Sequence, residues 1–138
     1  MNIPAKLNWG EWALRVAVAF EFGGHGIEAL RIKEEWIPFF TVFGVSPETA
    51  RDLMPVVGVV DLALAASVLV RPLVPLLAWM AFWGFFTALL RPLSGLSFVE
   101  FIERGANWGA PLALLLMVRA RRAAVAQAPP ISDSRRLD

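Results

Sequence analysis

The chain has 138 residues, 57% of them hydrophobic, no cysteine and a formal net charge of +1. That length suits a single domain, the missing cysteines exclude disulfides, thiolate metal sites and dithiol chemistry, and the charge balance offers no footing for nucleic acid. A mean hydropathy of +0.59, with the apolar residues gathered into long blocks, points to a bilayer rather than a large soluble core.

The first block runs from Trp12 to Leu30 and is interrupted by Glu21, His25 and Glu28. Arg15 and Glu21 break up what would be the apolar core of a secretory signal, so this segment is expected to stay in the mature protein as a span. The connection from Arg31 to Asp52 carries Trp36, Pro38, Phe39, Phe40 and Phe43, aromatics suited to the headgroup zone. Within it Ser46-Pro47-Glu48 predicts a helix start, with Ser46 as cap and Pro47 in the first helical position. The second block, Leu53 to Val70, holds Asp61 as its one ionisable residue. Arg71-Pro72 is a tight link, and Pro72 is placed in the first turn of the third block, Leu73 to Leu90. Arg91-Pro92 is expected to end that block, with a short turn over Leu93 to Ser97. The fourth block, Phe98 to Val118, reads as one helix with its charges in the first two turns. Residues 119–138 turn basic and then Pro- and Ser-containing, the composition of a disordered tail behind a membrane domain over 1–118.

Each block meets the roughly 17–20 residues needed to cross a hydrocarbon core of ~30 Å. The predicted fold is therefore all-α, an antiparallel bundle of four transmembrane helices. Lys6, Arg71, Arg119, Arg121, Arg122, Arg135 and Arg136 fall on one side, against Arg31, Lys33, Arg51 and Arg91 on the other. The positive-inside rule then puts both termini in the cytoplasm.

A charge left in hydrocarbon costs roughly 2.5–3.5 kcal/mol on insertion scales, so ionisable residues inside spans mark function by default. At ~1.5 Å per residue from the outer span ends, His25 lies roughly 8–9 Å deep, Asp61 about 12 Å, Glu103 and Arg104 about 8–9 Å, and Asn107 about 14 Å. Trp83 comes out at about 10 Å and Glu28 at about 3–5 Å. Glu21, His25 and Glu28 share one helical stripe; Glu100, Glu103, Arg104 and Asn107 share another, and Trp79 and Trp83 a third. These levels predict one polar layer enclosing a pocket. His25, Glu28, Asp61 and Glu103 would exchange protons there, and Arg104, Asn107, Trp79 and Trp83 would hold a ligand. Glu21, Glu28, Asp61 and Glu103 face Arg104 as the one fixed cation, a surplus relieved by protonation, by charging His25 or by a bound cation. Glu100 is placed at the interface, and Trp9, Trp12, Trp36 and Trp108 in the belt or in packing. Gly105-x-x-x-Gly109, and more loosely Gly23, Gly24 and Gly26, are read as helix-packing positions.

Leu14-Arg15-Val16 followed by Phe20-x-x-Gly23-Gly24-His25-Gly26-x-x-Ala29-Leu30 resembles the first helix of DoxX-like membrane proteins. Trp36-Ile37-x-Phe39-Phe40, Phe43-Gly44-Val45 and Met54-Pro55-x-x-Gly58 leading to Asp61 continue the likeness, which covers residues 12 to 118. The resemblance implies a multi-pass protein of a bacterial or archaeal inner membrane, in a family where some members are subunits of a thiosulfate:quinone oxidoreductase. The absent cysteines argue against sulfur transfer by this chain itself.

The leading expectation is a pocket for a small or lipidic ligand, with a quinone as candidate and a redox-complex partner or a second copy as possible company. The second is a metal or haem site on His25 with Glu21 and Glu28, since hard carboxylates with one imidazole suit manganese, iron or zinc. A third is a structural or assembly subunit without chemistry, and a fourth, by analogy alone, acid–base isomerisation of a lipid.

Overall fold

A computed structural model describes residues 3–127, with side chains over 9–127. All regular structure among the described residues is helical. Helix α1 covers Ile3–Leu30, starting well before Trp12 and running unbroken through Gly23, Gly24 and Gly26. The chain leaves α1 through Ile32, whose φ of 55° is a strained, left-handed conformation for a β-branched residue. A 3-10 turn (Glu34–Trp36) and the short α2 (Ile37–Thr41) follow, so the aromatic connection is itself folded. Gly44, at φ +76°, makes the turn into α3 (Pro47–Val70). There the Ser46 hydroxyl accepts from the Thr49 amide at 3.3 Å, and Pro47 occupies the first turn, as the sequence predicts.

The link to the next helix differs in detail. Pro72 lies outside the helix, because a residue preceding proline is driven extended, and Arg71 is so at φ −153°, ψ 109°. Leu73 is the N-cap and Pro75 takes the first turn of α4 (Val74–Leu93). That helix runs past Leu90 and carries Pro92 in its last turn. A Schellman motif closes it, with Leu96 N donating to Arg91 O at 3.0 Å and Gly95, at φ +93°, donating to Pro92 O at 3.1 Å.

The expected single helix from Phe98 to Val118 is broken at Arg104 (φ −94°, ψ 17°) into α5 (Phe98–Glu103) and α6 (Gly105–Ala126). Helix α6 continues beyond Val118 to Ala126, so the segment after Arg119 is helical as far as it is described; the remainder of the expected tail, 128–138, lies outside the described residues.

Two glycine contacts set the packing. A Cβ on Gly26 would lie 2.9 Å from Gly58 O, and one on Gly58 would lie 2.8 Å from Gly26 O, so α1 and α3 touch backbone to backbone. A Cβ on Gly84 would overlap the Asn107 carbonyl, which brings α4 against α6. Gly105 and Gly109 meet nothing within 4 Å, so the small-residue motif predicted there is not the packing point. The core joins Val18 and Phe22 of α1, Leu64 and Val68 of α3, Leu77 and Met80 of α4 and Leu114 of α6. At one end buried Glu11 accepts from Arg15 at 2.6 Å and from Arg121 at 2.9 Å, tying α1 to α6. Helices α3 and α4, though joined by a short link, touch only sparingly; α2 contacts both.

Helices α3 and α4 are long and apolar enough to cross a membrane. Large apolar side chains stand exposed around the bundle, among them Phe20, Val59, Phe82 and Leu116, far more than a water-facing surface ordinarily carries in one band.

Candidate functional site: a cavity between separated helices

The gap left between α3 and α4 is a cavity of about 340 Å³, lined by residues of α1, the 3-10 turn, α2, α3, α4 and α6 and by Arg104 at the break before α6. Of the residues singled out in the sequence, Glu21, His25, Asp61, Trp83, Arg104 and Asn107 all line it. The antiparallel order places them. Glu21 is the innermost α1 residue on the wall and Asp61 the innermost of α3, while Arg91 is the outermost of α4. His25, one turn outward from Glu21, meets Trp36 edge-on with centroids 5.7 Å apart.

Most of the wall is apolar: Phe22, Phe39, Phe40, Met54, Val57 and Phe86 among others. Against it stand four buried polar atoms without a hydrogen-bond partner, namely Glu21 Oε1, Asp61 Oδ1, Arg91 Nε and Arg104 Nε. Asp61 is only 4% exposed. Leaving such groups unpaired costs about 1–3 kcal/mol each, more when charged, so they rank as a demand for a partner. Two are acceptors at the inner end and two are donors at the outer end.

Four of the predicted positions fall elsewhere or change role. Glu28 turns out of the cavity to Lys33, at 3.1 Å, and Arg31, at 3.8 Å, because the tight turn at Ile32 folds Lys33 back over the end of α1. Glu103 is exposed: the break at Arg104 displaces α5 from the line of α6, so Arg104 goes inward and its neighbour outward. Trp79 is 45% exposed and backs Trp83, stacked at 5.8 Å, instead of touching the cavity. Trp36, read as a belt residue, is part of the wall. With Glu28 paired outside, His25, Glu21 and Glu28 do not form a ligand set, and no group of three metal-ligating side chains is found among the described residues.

Arg91 and Glu100 are the residues that sequence reasoning left outside the site, one as a span end and the other at the interface. Arg91 reads in the sequence as the end of the third span; it is a cavity residue with a side chain 12% exposed, lying 5.3 Å over the Phe39 ring. Glu100 pairs with both arginines, at 3.6 Å to each. A signal did exist: stepping four residues from Trp83 through Thr87 leads to Arg91 on one helical face. The fixed positive charge at the cavity is thus two guanidinium groups, not one.

Phe43 stacks on Phe86 at 5.9 Å, and Phe86 in turn on Phe82 at 6.0 Å. This aromatic ladder, continued by Trp83 and Trp79, runs from Phe43 along α4, and its Phe43, Trp83 and Phe86 belong to the cavity wall. No family model, curated protein or solved structure matches the chain. The DoxX-like likeness therefore rests on its sequence residues alone.

Proposed function

We propose that this is a four-span inner-membrane protein, both termini cytoplasmic, whose cavity takes an amphipathic ligand from the lipid phase and exchanges protons with it. The carrying observation is the set of four buried, unpartnered polar atoms on residues that line an otherwise apolar cavity. An apolar body is accommodated by Phe22, Met54, Val57 and Phe86; its polar atoms pair with Asp61 and Glu21 at one end and with the arginines at the other. A membrane quinone meets the general description, its carbonyl oxygens accepting from guanidinium groups and its reduced hydroxyls donating to carboxylates. Asp61, Glu21 and His25 are within the wall and are the groups able to give or take such protons. Support for the membrane setting comes from α3 and α4, from the exposed apolar band, and from Arg71, Arg119, Arg121 and Arg122 gathered at the end opposite the cavity. A place in a larger redox assembly is carried by the sequence likeness.

The test is native mass spectrometry of gently extracted protein, followed by titration with decylubiquinone and with a total lipid extract. A co-purifying amphiphile, or quinone binding lost at least about tenfold in Asp61→Asn combined with Glu21→Gln, is the expected result. Protein that emerges bare, binds neither probe and behaves identically with both carboxylates neutralised overturns the reading.

A further inference from the structure

The two ends of the cavity differ in charge, and the difference selects a ligand class. Arg91 and Arg104 both line the outer end, and among the described residues the one carboxylate paired with either is Glu100. It stands 3.6 Å from each and is 38% exposed, a loose and shared partner. Two guanidinium groups on one carboxylate leave one positive charge in excess. The inner carboxylates do not balance it: neither Glu21 nor Asp61 forms an ion pair with either arginine, and each keeps a buried oxygen without a partner. Both arginine Nε atoms remain buried and unpaired. Two other buried nitrogens are unpaired, Arg15 Nε and Trp108 Nε1, but neither belongs to the cavity wall, so convergence rather than mere lack of a partner distinguishes this pair.

Resting on the reading of the cavity as a ligand site, we infer that the occupant is a carboxylate-headed amphiphile, its head held between Arg91 and Arg104 and its apolar chain directed inward or out through the α3–α4 gap. Guanidinium forks match a carboxylate's two oxygens in geometry and charge, which a quinone carbonyl or an alcohol matches in neither. A compact head suits the site, since Phe39, itself buried, lies 5.3 Å from the Arg91 guanidinium and covers that face of it. Glu100 is then the resident competitor that the ligand's carboxylate displaces or joins.

Equilibrium binding of radiolabelled dodecanoate to the full-length protein in nonionic detergent tests this, with dodecanol and decylubiquinone as matched competitors. Dodecanoate is expected to bind at least about tenfold more tightly than dodecanol. Arg91→Gln and Arg104→Gln should each erase that preference while leaving dodecanol affinity in place. Glu100→Gln should tighten dodecanoate severalfold, an outcome of opposite sign that keeps the test decisive if an arginine variant fails to fold. Arg71→Gln, at the far end of the bundle, controls for general attraction to positive charge and should change nothing. Equal affinity for acid and alcohol, a preference that survives loss of either arginine, or one lost in Arg71→Gln overturns the carboxylate head while the cavity reading stands. Failure of all three probes to bind overturns the cavity reading itself.

Discussion

Gly84 and Gly109 are both glycines within helices, yet a methyl group meets opposite fates at the two. On Gly84 it collides with the Asn107 carbonyl, rigid backbone that cannot step aside; on Gly109 it points into open space. Gly84→Ala should therefore destabilise the bundle by about 1–3 kcal/mol, the usual cost of overpacking. Gly109→Ala should stabilise it by about 0.5–1 kcal/mol, because alanine is the better helix former. Thermal unfolding in detergent reads both, and equal effects of the same sign would contradict the packing. Sequence spacing pointed to Gly105 and Gly109 because a small-x-x-x-small pattern says which residues permit close approach; it does not say where a partner helix lies. The same limit governs Glu28 and Glu103. Their spacing along the chain suggested a shared face, but Glu28 is claimed by Lys33 through a turn, and Glu103 is swung outward by a helix break.

Among the elements, the connection between α1 and α3 departs furthest from a simple loop. Arg51 donates to both carboxylate oxygens of Glu34, at 2.9 and 2.8 Å, pinning the 3-10 turn to the start of α3 and so holding the aromatic lid in place. That guanidinium holds the Glu34 carboxyl below the usual carboxylate range. A depressed carboxyl contributes above its ordinary pKa and loses its contribution as pH falls through the lowered value. Amide exchange over 34–41, corrected for intrinsic rates, should thus stay slow at neutral pH and accelerate in acid below the usual carboxylate range. Glu34→Gln should be fast at both; protection independent of pH and of Glu34 would mean that something else anchors the lid. Helix starts were legible where a side chain caps locally, as Ser46 does. Helix ends were less so: Pro92 was taken as a stop, whereas the chain closes through Gly95 and Leu96 in a motif defined by hydrogen bonds across the turn.

At the scale of the whole molecule, the proposed four-span arrangement has a direct test because the chain holds no cysteine. Single cysteines at Thr41 and Leu96 should react with a membrane-impermeant maleimide in intact cells, and those at Arg71 and Gln127 only after permeabilisation. The reverse pattern, or labelling at all four, would refute the proposed orientation. The pairing of the helices explains why a cavity exists. Helix α1 is drawn to α3 at Gly26–Gly58, and α4 to α6 at Gly84–Asn107, so α3 and α4 are pulled toward different partners and part above their shared link.

What the sequence determined unaided was the helical class and the apolar blocks, since both follow from composition and its patterning along the chain. Which charges share a chamber was decided by tertiary structure: by a strained turn at Ile32, a break at Arg104 and two glycine contacts between helices remote in the chain. Rotation and splay of one helix against another depend on the shapes of both surfaces, and no single segment's periodicity contains that information. Arg91 shows the consequence, a residue that reads as the end of a span and stands in the wall of the site.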